Sequence, residues 1–418
     1  MAQLTESAAD FMFKKLYADG LPKDNLLRGK QLLQWMTHET DFTTHKGIEI
    51  AVPHTKPQGY GSTNANAAAA VTSSLGASFT VPQRHVTQYG AIDGTVVRNA
   101  VNGSNTSSFA DAMEREIDGN TESLGESLNA ASYGASDGVR SYVAASGAIN
   151  TTNLPLRNTQ DSQLYEVGMR LQFINPANGA LRAGGTGYVV VQKVNSLTGN
   201  LTLTGTLNAE VTSVALGDGI IRWSMNNADL DGLRGWCPDP SVVNLATPYL
   251  GVDRSVYPTR LAGIYLDVST MPVRSGLLSA LAVAKGHVGK KFEKDAPWFC
   301  NPKNMGQLRQ TVEAGKVLTK AMEDKYGIGI KGFEIEGHTF IEDEHHPVDE
   351  MTLLGTEAFT RGSCGDQPYI DDSDGKKFNY ARSGSNAGQL EFCLAHDGNT
   401  YSNQPWNIMR VKISAQAA

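Results

Sequence analysis

Cysteine is scarce in this chain of 418 residues, and its four cysteines lie far apart in the sequence, at Cys237, Cys300, Cys364 and Cys393. No two of them have the Cys-x-x-Cys spacing of a zinc or redox motif, so neither a structural metal site nor a disulfide framework is predicted. Four free and mostly buried thiols are the expected state. Such thiols suit a protein that folds in a reducing cytoplasm.

Long apolar runs are also missing. No stretch reaches the roughly 18 apolar residues that identify a membrane span. Residues 1–10 lack the basic segment and apolar core of a signal peptide. The sequence therefore predicts a chain that is not embedded in a membrane and is not exported by a recognisable signal.

There is no excess of positive charge. Lysine and arginine number 36 against 43 aspartate and glutamate residues, which gives a net charge of -7. The basic pairs at residues 14–15, 290–291 and 376–377 are scattered, whereas a nucleic-acid reader usually carries a basic stripe or patch. The balance argues against a dedicated DNA-reading protein.

Two short motifs resemble catalytic or nucleotide-binding signatures but occur in the wrong context. Residues 134–138 match Gly-x-Ser-x-Gly around Ser136, yet they follow a predicted helix, whereas a nucleophile elbow follows a strand. Residues 327–332 match Gly-x-Gly-x-x-Gly, but they follow a helical pattern and lead into a strand, the reverse of a dinucleotide site. No Walker-type loop is present. Both motifs are interpreted as turns.

Residues 342–346, with His338 and Asp349 nearby, have the side chains of a metal site. Their spacing matches neither a helical Glu-x-x-His motif nor a facial triad, so a solvated acidic loop is the preferred interpretation. The sequence thus predicts no catalytic, cofactor-binding or metal-binding residue, and the chain is not expected to be an enzyme.

The most informative feature that is present is an uncharged stretch at residues 57–83, made largely of Gly, Ala, Ser, Thr and Asn. It separates two strand-like runs at residues 47–54 and 78–89. With so little apolar surface, a long hairpin of this composition has nothing to offset the entropy of ordering it. We expect it to be ordered by a neighbouring subunit.

A long amphipathic helix is predicted at residues 108–133. Its apolar residues fall within about 100° of a helical wheel, with acidic residues opposite: Phe109, Met113, Ile117, Leu124 and Leu128. Ser108 is the expected N-cap and Gly134 the expected C-cap. Gly119 and Gly125 lie inside the helix and cost about 1 kcal/mol each relative to alanine, so packing must stabilise it.

The rest of the chain divides by pattern. Residues 1–46 form helical pieces with two apolar faces, which either pack on the main body or reach across a subunit boundary. Residues 161–224 lose helical periodicity and alternate as strands with frequent turn signals, which predicts an all-β block, either a separate lobe or a meander packed into the main sheet. From residue 257 onward strand and helix patterns mix.

Several elements of that last part are specific enough to name. Strands are predicted at residues 261–268 and 298–300, a helix at 275–285, and a strand pair at 333–341 that turns at Gly337. Asn301 followed by Pro302 predicts the start of a helix. Residues 389–394 and 408–413 form a closing β-element.

In this order, the parts resemble the major capsid proteins of tailed bacteriophages, the α+β fold named after phage Hong Kong 97. The resemblance covers most of the chain and rests on its architecture. It implies an N-terminal arm (1–46), an extended loop (47–100), a peripheral domain with the spine helix (101–160), a β-rich insertion (161–224), an axial domain (225–335) and returning peripheral strands (336–418).

The resemblance implies subunits that form hexamers and pentamers and close into an icosahedral shell around double-stranded DNA, assembled in the host cytoplasm. It also implies a portal and, in some members, a cementing protein. Packaged DNA would be contacted without recognition of its sequence. The short arm leaves no room for a fused scaffolding segment, so a separate scaffolding protein is expected. A net negative charge suits a container that must not hold its DNA tightly.

Three other functions stay open at this point. An encapsulin-like nanocompartment would share the architecture and enclose protein. A β-rich virion surface or attachment protein would use residues 161–224 to bind glycan. A serine hydrolase would be built on Ser136.

Overall fold

A computed structural model describes residue 13 and residues 26–40, 42, 47–93, 106–144, 149, 151–288, 296–313, 332–335, 338–365, 367–371, 376–380 and 389–413. Within these residues the chain folds as a mixture of helices and mainly antiparallel strands. The α+β character predicted from the sequence is therefore confirmed. The arrangement of a capsid subunit in particular remains a proposal.

The α-helices of the described residues are α1 Gln31–Trp35, α2 Asn64–Ala69, α3 Thr106–Tyr133, α4 Leu207–Glu210, α5 Leu233–Trp236, α6 Pro258–Leu261, α7 Val273–Val288 and α8 Pro302–Glu313. Short 3₁₀ helices are Thr159–Leu164, Arg254–Val256 and Pro405–Asn407.

The strands in the first half are β1 Thr37–Glu39, β2 Ile48–Pro53, β3 Gly76–Val81, β4 Arg84–Ile92, β5 Val139–Tyr142, β6 Asn153–Pro155, β7 Arg170–Ile174, β8 Val189–Asn195, β9 Asn200–Leu203 and β10 Gly219–Arg222. Those in the second half are β11 Ile264–Asp267, β12 Trp298–Cys300, β13 Gly332–Ile335, β14 His338–Glu342, β15 Glu350–Leu354, β16 Thr360–Ser363, β17 Tyr369–Ile370, β18 Asn379–Tyr380, β19 Leu390–Tyr401 and β20 Ile408–Lys412.

Helix α3 is the longest element, with 28 residues, and it confirms the long amphipathic helix predicted from the sequence. Its apolar stripe faces the core, where Met113, Ile117, Leu124 and Leu128 are at most 1% exposed. The side chain of Phe109 lies outside the described residues. The helix begins at Thr106, so Ser108 lies within the first turn and the predicted cap at Ser108 is wrong.

Gly125 shows why this helix tolerates an interior glycine. A Cβ atom at this position would lie 2.3 Å from the carbonyl oxygen of Leu26. The missing side chain therefore lets the N-terminal segment pass directly over the helix, and the packing offsets the propensity cost of about 1 kcal/mol. Gly119, by contrast, has nothing within 4 Å of that position.

The N-terminal segment packs on the main body wherever it is described. Leu26, Leu32 and Leu33 are at most 2% exposed and belong to the same core cluster as the stripe of α3. These residues therefore do not need a neighbouring subunit to bury them. The apolar face predicted around residues 11–17 lies outside the described residues, except for Phe13, which is buried.

The first sheet, here called sheet I, is organised around β19. One edge of this 12-residue strand pairs in turn with β16, β17 and β18, and the other edge pairs with β4 over nine residues. Strand β1 adds to β16 in parallel. Because β4 follows the hairpin directly, this sheet joins the first hundred residues to the end of the chain.

The second sheet is antiparallel and has the order β5-β10-β7-β8-β9-β6. Val143 bridges Leu156, and the amide of Arg157 donates to the carbonyl of Tyr142 at 2.8 Å, so the first and last strands meet. The six strands thus close into a small barrel, which has its own apolar interior. The barrel includes two strands that precede residue 161. That this block is an insertion stays a prediction.

The third sheet, here called sheet II, has the order β11-β20-β15-β12-β14-β13. Trp298 faces a core shared with α7 and α8, while Phe299 faces the core around α3. The sheet takes three strands from residues 225–335 and three from residues 336–418. A domain boundary at residue 335 therefore remains a prediction.

Several local predictions in this region are confirmed. The strand at Trp298–Cys300 has the predicted bounds, and α8 begins at Pro302. The carboxamide oxygen of Asn301 accepts a hydrogen bond from the amide of Lys303 at 3.1 Å, as expected of a capping residue. Strands β13 and β14 form the predicted antiparallel pair, although Gly337 lies outside the described residues.

Candidate functional site

The hairpin formed by β2 and β3 is anchored at its base on the body of its own chain. Ile50, Val52, Phe79 and Val81 are buried in the core cluster that contains the stripe of α3. The ring of Phe79 lies 5.1 Å from the ring of Trp236. The expectation that the hairpin lacks a partner within its own chain is therefore wrong for the base, because strand alternation places four large apolar side chains on one face.

The sequence run at residues 78–89 also differs from prediction. It forms two strands that are separated at Pro82 and Gln83, since proline cannot donate a ladder hydrogen bond. Strand β3 turns back along β2, and β4 enters sheet I. The base of the hairpin is thus tied directly to the central strand of a sheet.

The remainder of the hairpin, residues 57–75, is called the hairpin tip here, and it projects away from the body. Every residue of the tip is exposed except Ala67, which is half-buried. Its internal structure is local: α2 is capped by the Thr63 hydroxyl, which accepts from the amide of Asn66 at 3.3 Å, and Gln58 bridges Thr72. Within the described ranges of the chain, no part of the body covers the tip.

Three large apolar side chains are exposed on the tip, Tyr60 at 97%, Val71 at 65% and Leu75 at 58%. The tip carries no charged residue. A surface that combines exposed apolar groups with an absence of charge is the composition found at the centre of protein interfaces. The geometry therefore makes the tip the candidate functional site.

The acidic loop between β14 and β15 is not the solvated loop predicted from the sequence. Asp343 and His346 are 1% and 2% exposed. The Asp343 carboxylate accepts hydrogen bonds from the Asn129 amide at 3.0 Å, the Tyr133 hydroxyl at 2.9 Å and the backbone amide of Leu32 at 3.3 Å. The prediction failed because three segments that are distant in sequence converge on one carboxylate. These contacts are called the Asp343 node here.

The electrostatics of the Asp343 node match a structural role. Burial alone would raise the pKa of Asp343, but hydrogen bonding and charge from His345, together with the amide of Asn129, lower it. Burial and the neighbouring Asp343 raise the pKa of the Tyr133 phenol well above its ordinary value. Burial lowers the pKa of His346, whose ring nitrogens contact the carbonyl oxygen of Pro347 and the hydroxyl of Thr352. The node therefore joins α1, α3 and sheet II.

The residues of the node do not form a metal centre. In the described part of the chain, no group of three or more His, Cys, Asp or Glu side chains is arranged to hold a metal ion. His346 is directed to Thr352 and the carboxylate of Asp343 is occupied by amide and hydroxyl donors. The side chains that resembled a ligand set in sequence are used for packing and hydrogen bonding.

The Gly-x-Ser-x-Gly motif lies where the sequence placed it, after a helix. Helix α3 ends at Tyr133, the amide of Gly134 donates to the carbonyl of Ala131 at 2.9 Å, and Gly138 has a φ of 75°. Ser136 hydrogen-bonds to Asp231, whose other partners are Arg84 and Asn399. None of these is a histidine that could accept a proton from Ser136. The Gly-x-Gly-x-x-Gly motif lies outside the described residues, apart from Gly332.

The four cysteines are free thiols. Cys237 and Cys300 are fully buried, and burial raises the pKa of Cys237 to about 11 and raises that of Cys300 as well. A thiol with a raised pKa is a poor nucleophile at neutral pH. The expectation of four free and mostly buried thiols agrees with this structure, in which only Cys364 is partly exposed.

The sequence did not mark Asn129 and Tyr133 as buried. Asn129 lies on the polar side of the helix pattern, and Tyr133 lies at the end of the helix. Asn129 has no charge or motif to mark it, yet it is 0% exposed and donates to both carboxylate oxygens of Asp343. On a helical wheel Asn129 lies among the acidic residues opposite the apolar stripe, so the periodicity of the helix gave no signal that it is buried.

No helix among the described residues combines the length and the apolarity that crossing a membrane requires. No protein-family model and no curated protein matches the sequence.

Solved structures similar to this chain come from protein shells. The structure titled "Cyanophage A-1(L) capsid asymmetric unit" is 15% identical, covers 93% of each chain and has a TM-score of 0.49. The capsid of a native GTA particle is 8% identical, covers 93% of this chain and 91% of its own, and has a TM-score of 0.46. The SrpI encapsulin from Synechococcus elongatus PCC 7942 is 8% identical, with coverages of 94% and 90% and a TM-score of 0.41.

Proposed function

We propose that this chain is the major capsid protein of a tailed bacteriophage, which assembles as hexamers and pentamers into an icosahedral head around double-stranded DNA. The observation that carries the proposal is the hairpin tip. It is an uncharged, solvent-exposed and partly apolar projection on a rigid base, and no residue in the part of the chain that the structure describes covers it.

The physical argument starts from the exposure of Tyr60, Val71 and Leu75. Burying an apolar side chain of this size stabilises a complex by roughly 1.5–3 kcal/mol. A second copy that covers the tip would recover this energy and would also offset the entropy of ordering a chain rich in Gly, Ala and Ser. The same chemistry explains the absence of charge, since a charge buried in the contact would need a partner.

The base determines which assemblies are possible. Because β2 and β3 are fixed to the core through Phe79 and Trp236, the tip leaves the body in one direction. A projection that meets a different surface on the next copy makes a heterologous contact, which propagates around a ring or a shell and not merely between two subunits. Repetition of this contact in rings of six and five is the arrangement we propose.

The proposed partners are further copies of the chain, a separate scaffolding protein, a portal and, in some shells, a cementing protein. The DNA inside would be contacted without sequence recognition. A subunit charge of -7 fits this role, because a subunit with net negative charge is not expected to bind DNA tightly. No catalytic residue is proposed.

Assembly is tested by sedimentation and negative-stain microscopy of the chain expressed with and without a scaffolding protein. The wild type should give rings or closed shells. A triple variant in the tip, Tyr60→Ser, Val71→Ser and Leu75→Ser, should remain folded and sediment as free subunits or isolated rings. The matched control is Leu197→Ser, which removes an equally exposed apolar side chain from the barrel and should leave assembly intact.

Two results would contradict the proposal. One is a wild-type chain that sediments as a monomer of 44.9 kDa under all of these conditions. The other is a tip variant that assembles as well as the wild type. Nucleic acid extracted from purified particles distinguishes a phage head from a nanocompartment, which would instead contain a protein cargo.

The tip also supplies a direct probe of the interface. It contains no lysine or arginine, so trypsin has no site there, whereas chymotrypsin can cleave after Tyr60 and Leu75. We expect rapid cleavage at Tyr60 in free subunits and protection in assembled particles. Equal cleavage in both states would show that no neighbour covers the tip.

A further inference from the structure

The barrel meets sheet II along a seam that contains two carboxyl groups. The barrel contributes Asp161, in the 3₁₀ helix Thr159–Leu164, and the loop before β15 contributes Asp349. Both line a cavity of about 520 Å³ between the barrel, the end of α3 and sheet II. Asp161 is only 9% exposed, so its carboxyl group faces the seam and not open solvent.

The hydrogen bonds at this seam leave one oxygen without a donor. The Asn158 amide donates to Oδ2 of Asp349 at 3.4 Å and also hydrogen-bonds to Asp161. The backbone carbonyl of Asp349 accepts from the amide of Ile413 at 3.0 Å, which fixes this residue to the end of β20. Oδ1 of Asp349 is buried and has no hydrogen-bond partner among the described residues. An acceptor buried in this way requires a proton donor.

The charged groups around Asp161 do not donate a hydrogen bond to Oδ1 of Asp349. The positive charges of Arg234, in α5, and Arg157, in the barrel, lower the pKa of Asp161. The guanidinium of Arg234 also lies 4.0 Å from the carboxylate of Glu350. Tyr165 follows the 3₁₀ helix, and its hydroxyl is bonded to Ser141. The remaining titratable or charged side chains on the cavity wall are Tyr133, Asp137, Arg140, Tyr142, Asp239, Tyr249, Arg254, Tyr265, Glu344, His345, His346, Arg410 and Lys412.

We propose that Asp161 and Asp349 share a proton that closes the seam between the barrel and sheet II, and that loss of this proton opens the seam. In the closed state the protonated carboxyl of Asp161 donates to Oδ1 of Asp349. In the open state both groups are carboxylates, and their repulsion in a poorly solvated seam favours separation. This inference does not depend on the proposed function.

The electrostatics support the shared proton. Burial, and next the charge of Asp349, raise the pKa of Asp161 to about 7. An aspartate that is protonated when folded and ionised when unfolded favours the folded state at low pH. Its contribution falls as pH rises from about 3.8 to about 7 and is absent above that range. The seam should therefore open as pH rises through neutrality.

Other contacts limit how the barrel moves. Arg140 pairs with Asp229 at 2.7 Å, and Arg222 hydrogen-bonds to Ser127 of α3. These contacts do not involve the carboxyl pair and hold the barrel near α3. Opening is thus confined to the side of the barrel that carries the 3₁₀ helix.

The test is hydrogen–deuterium exchange of the full-length chain at pH 6 and pH 8.5, with rates corrected for the intrinsic effect of pH. In the wild type, peptides covering residues 157–165 and 345–350 should exchange on the order of tenfold faster at pH 8.5. In Asp161→Asn the amide donates to Asp349 at either pH, so protection should be high and independent of pH. Asp111→Asn, an exposed change on α3, should keep the wild-type response.

Asp349→Asn provides a second test, because it removes one of the two charges and should weaken the pH response, while burial of Asp161 keeps part of it. The proposal is overturned if the corrected exchange of the wild-type seam is equal at the two pH values. It is likewise overturned if both amide variants retain the wild-type pH dependence.

Discussion

At the scale of single residues, buried polar groups in this protein are of two kinds. The Asp343 carboxylate accepts hydrogen bonds from donors in α1 and α3 and is stabilised as a charge. Arg361 and His396 are equally buried, but both ring nitrogens of His396 and two of the guanidinium nitrogens of Arg361 have no hydrogen-bond partner. The first arrangement stabilises the fold, whereas the second costs free energy that the surrounding strands of sheet I must offset.

Asp343→Asn should destabilise the subunit by about 2–4 kcal/mol. The substituted amide retains the shape but cannot accept from all of the donors, and it removes the charge that they stabilise. Thermal unfolding of free subunits measures the effect, with exposed Asp111→Asn as the control. Because the pKa of Asp343 is lowered by folding, its contribution is present above pH 4 and lost in more acidic solution. The difference from the wild type should therefore shrink at low pH, and an unchanged difference would contradict this assignment.

His396 should make the subunit sensitive to acid. Burial, and next the charge of Arg361, lower its pKa to about 3. Its contribution to stability is therefore complete above the unfolded value of about 6.5 and declines as pH falls towards 3, by about 2 kcal/mol at pH 5. His396→Phe loses no hydrogen bond and should flatten the stability profile between pH 7 and pH 5. His54→Phe, in the base of the hairpin, should keep the wild-type slope.

At the scale of elements, α3 is the member against which the others pack. The N-terminal segment crosses it at Gly125, β4 and β19 lie on its apolar face, and its last turn donates to the Asp343 node. Its helical propensity is reduced by two interior glycines, so its stability comes from these contacts. A substitution in its buried stripe should therefore also disturb the packing of the N-terminal segment, of β4 and β19, and of the Asp343 node.

Leu124→Asp in α3 should prevent folding or leave a subunit that aggregates, because a carboxylate placed at a position that is 1% exposed has no partner. We expect a loss of at least about 4 kcal/mol, measured by soluble yield and chemical unfolding. Gly119→Asp introduces the same side chain one turn and a half earlier, where nothing lies within 4 Å, and should be tolerated. Similar behaviour of the two variants would show that the stripe does not carry the fold.

At the scale of the whole molecule, three cores are connected through a few polar contacts. The barrel interior, the core beneath α7 and α8, and the core around α3 are separate clusters. The Asp343 node and the carboxyl pair at Asp161 and Asp349 both lie where sheet II meets its neighbours. Relative movements of these bodies would therefore be resisted first at these contacts.

Mature particles should be held together without covalent crosslinks between subunits. Some members of the family that this sequence resembles form isopeptide bonds from a lysine of the extended loop. Here Lys56 lies at the foot of the hairpin tip, and the next lysine is Lys193 in the barrel. Arginine cannot replace a loop lysine as the nucleophile of an isopeptide bond, since a guanidinium stays protonated. Boiled and reduced particles should run as a single monomer band, and a persistent ladder would contradict the prediction.

Much of the structure of this protein follows from local patterns in its sequence. The spacing of Met113, Ile117, Leu124 and Leu128 predicted the buried face of α3, the Asn-Pro step predicted the start of α8, and the uncharged stretch predicted an exposed tip. Each of these follows from interactions between residues close in sequence, or from how much apolar surface a segment has to bury. Periodicity and composition report such properties directly.

Only the tertiary structure decided which distant groups meet. The loop at residues 342–346 is polar by composition, and nothing local indicates that Leu32, Asn129 and Tyr133 bury Asp343. The Asn158 amide likewise donates to Asp349, which lies 191 positions further along the chain. The cost of burying a charge depends on the partners that surround it after folding, and those partners are a property of the packed chain and not of its local pattern.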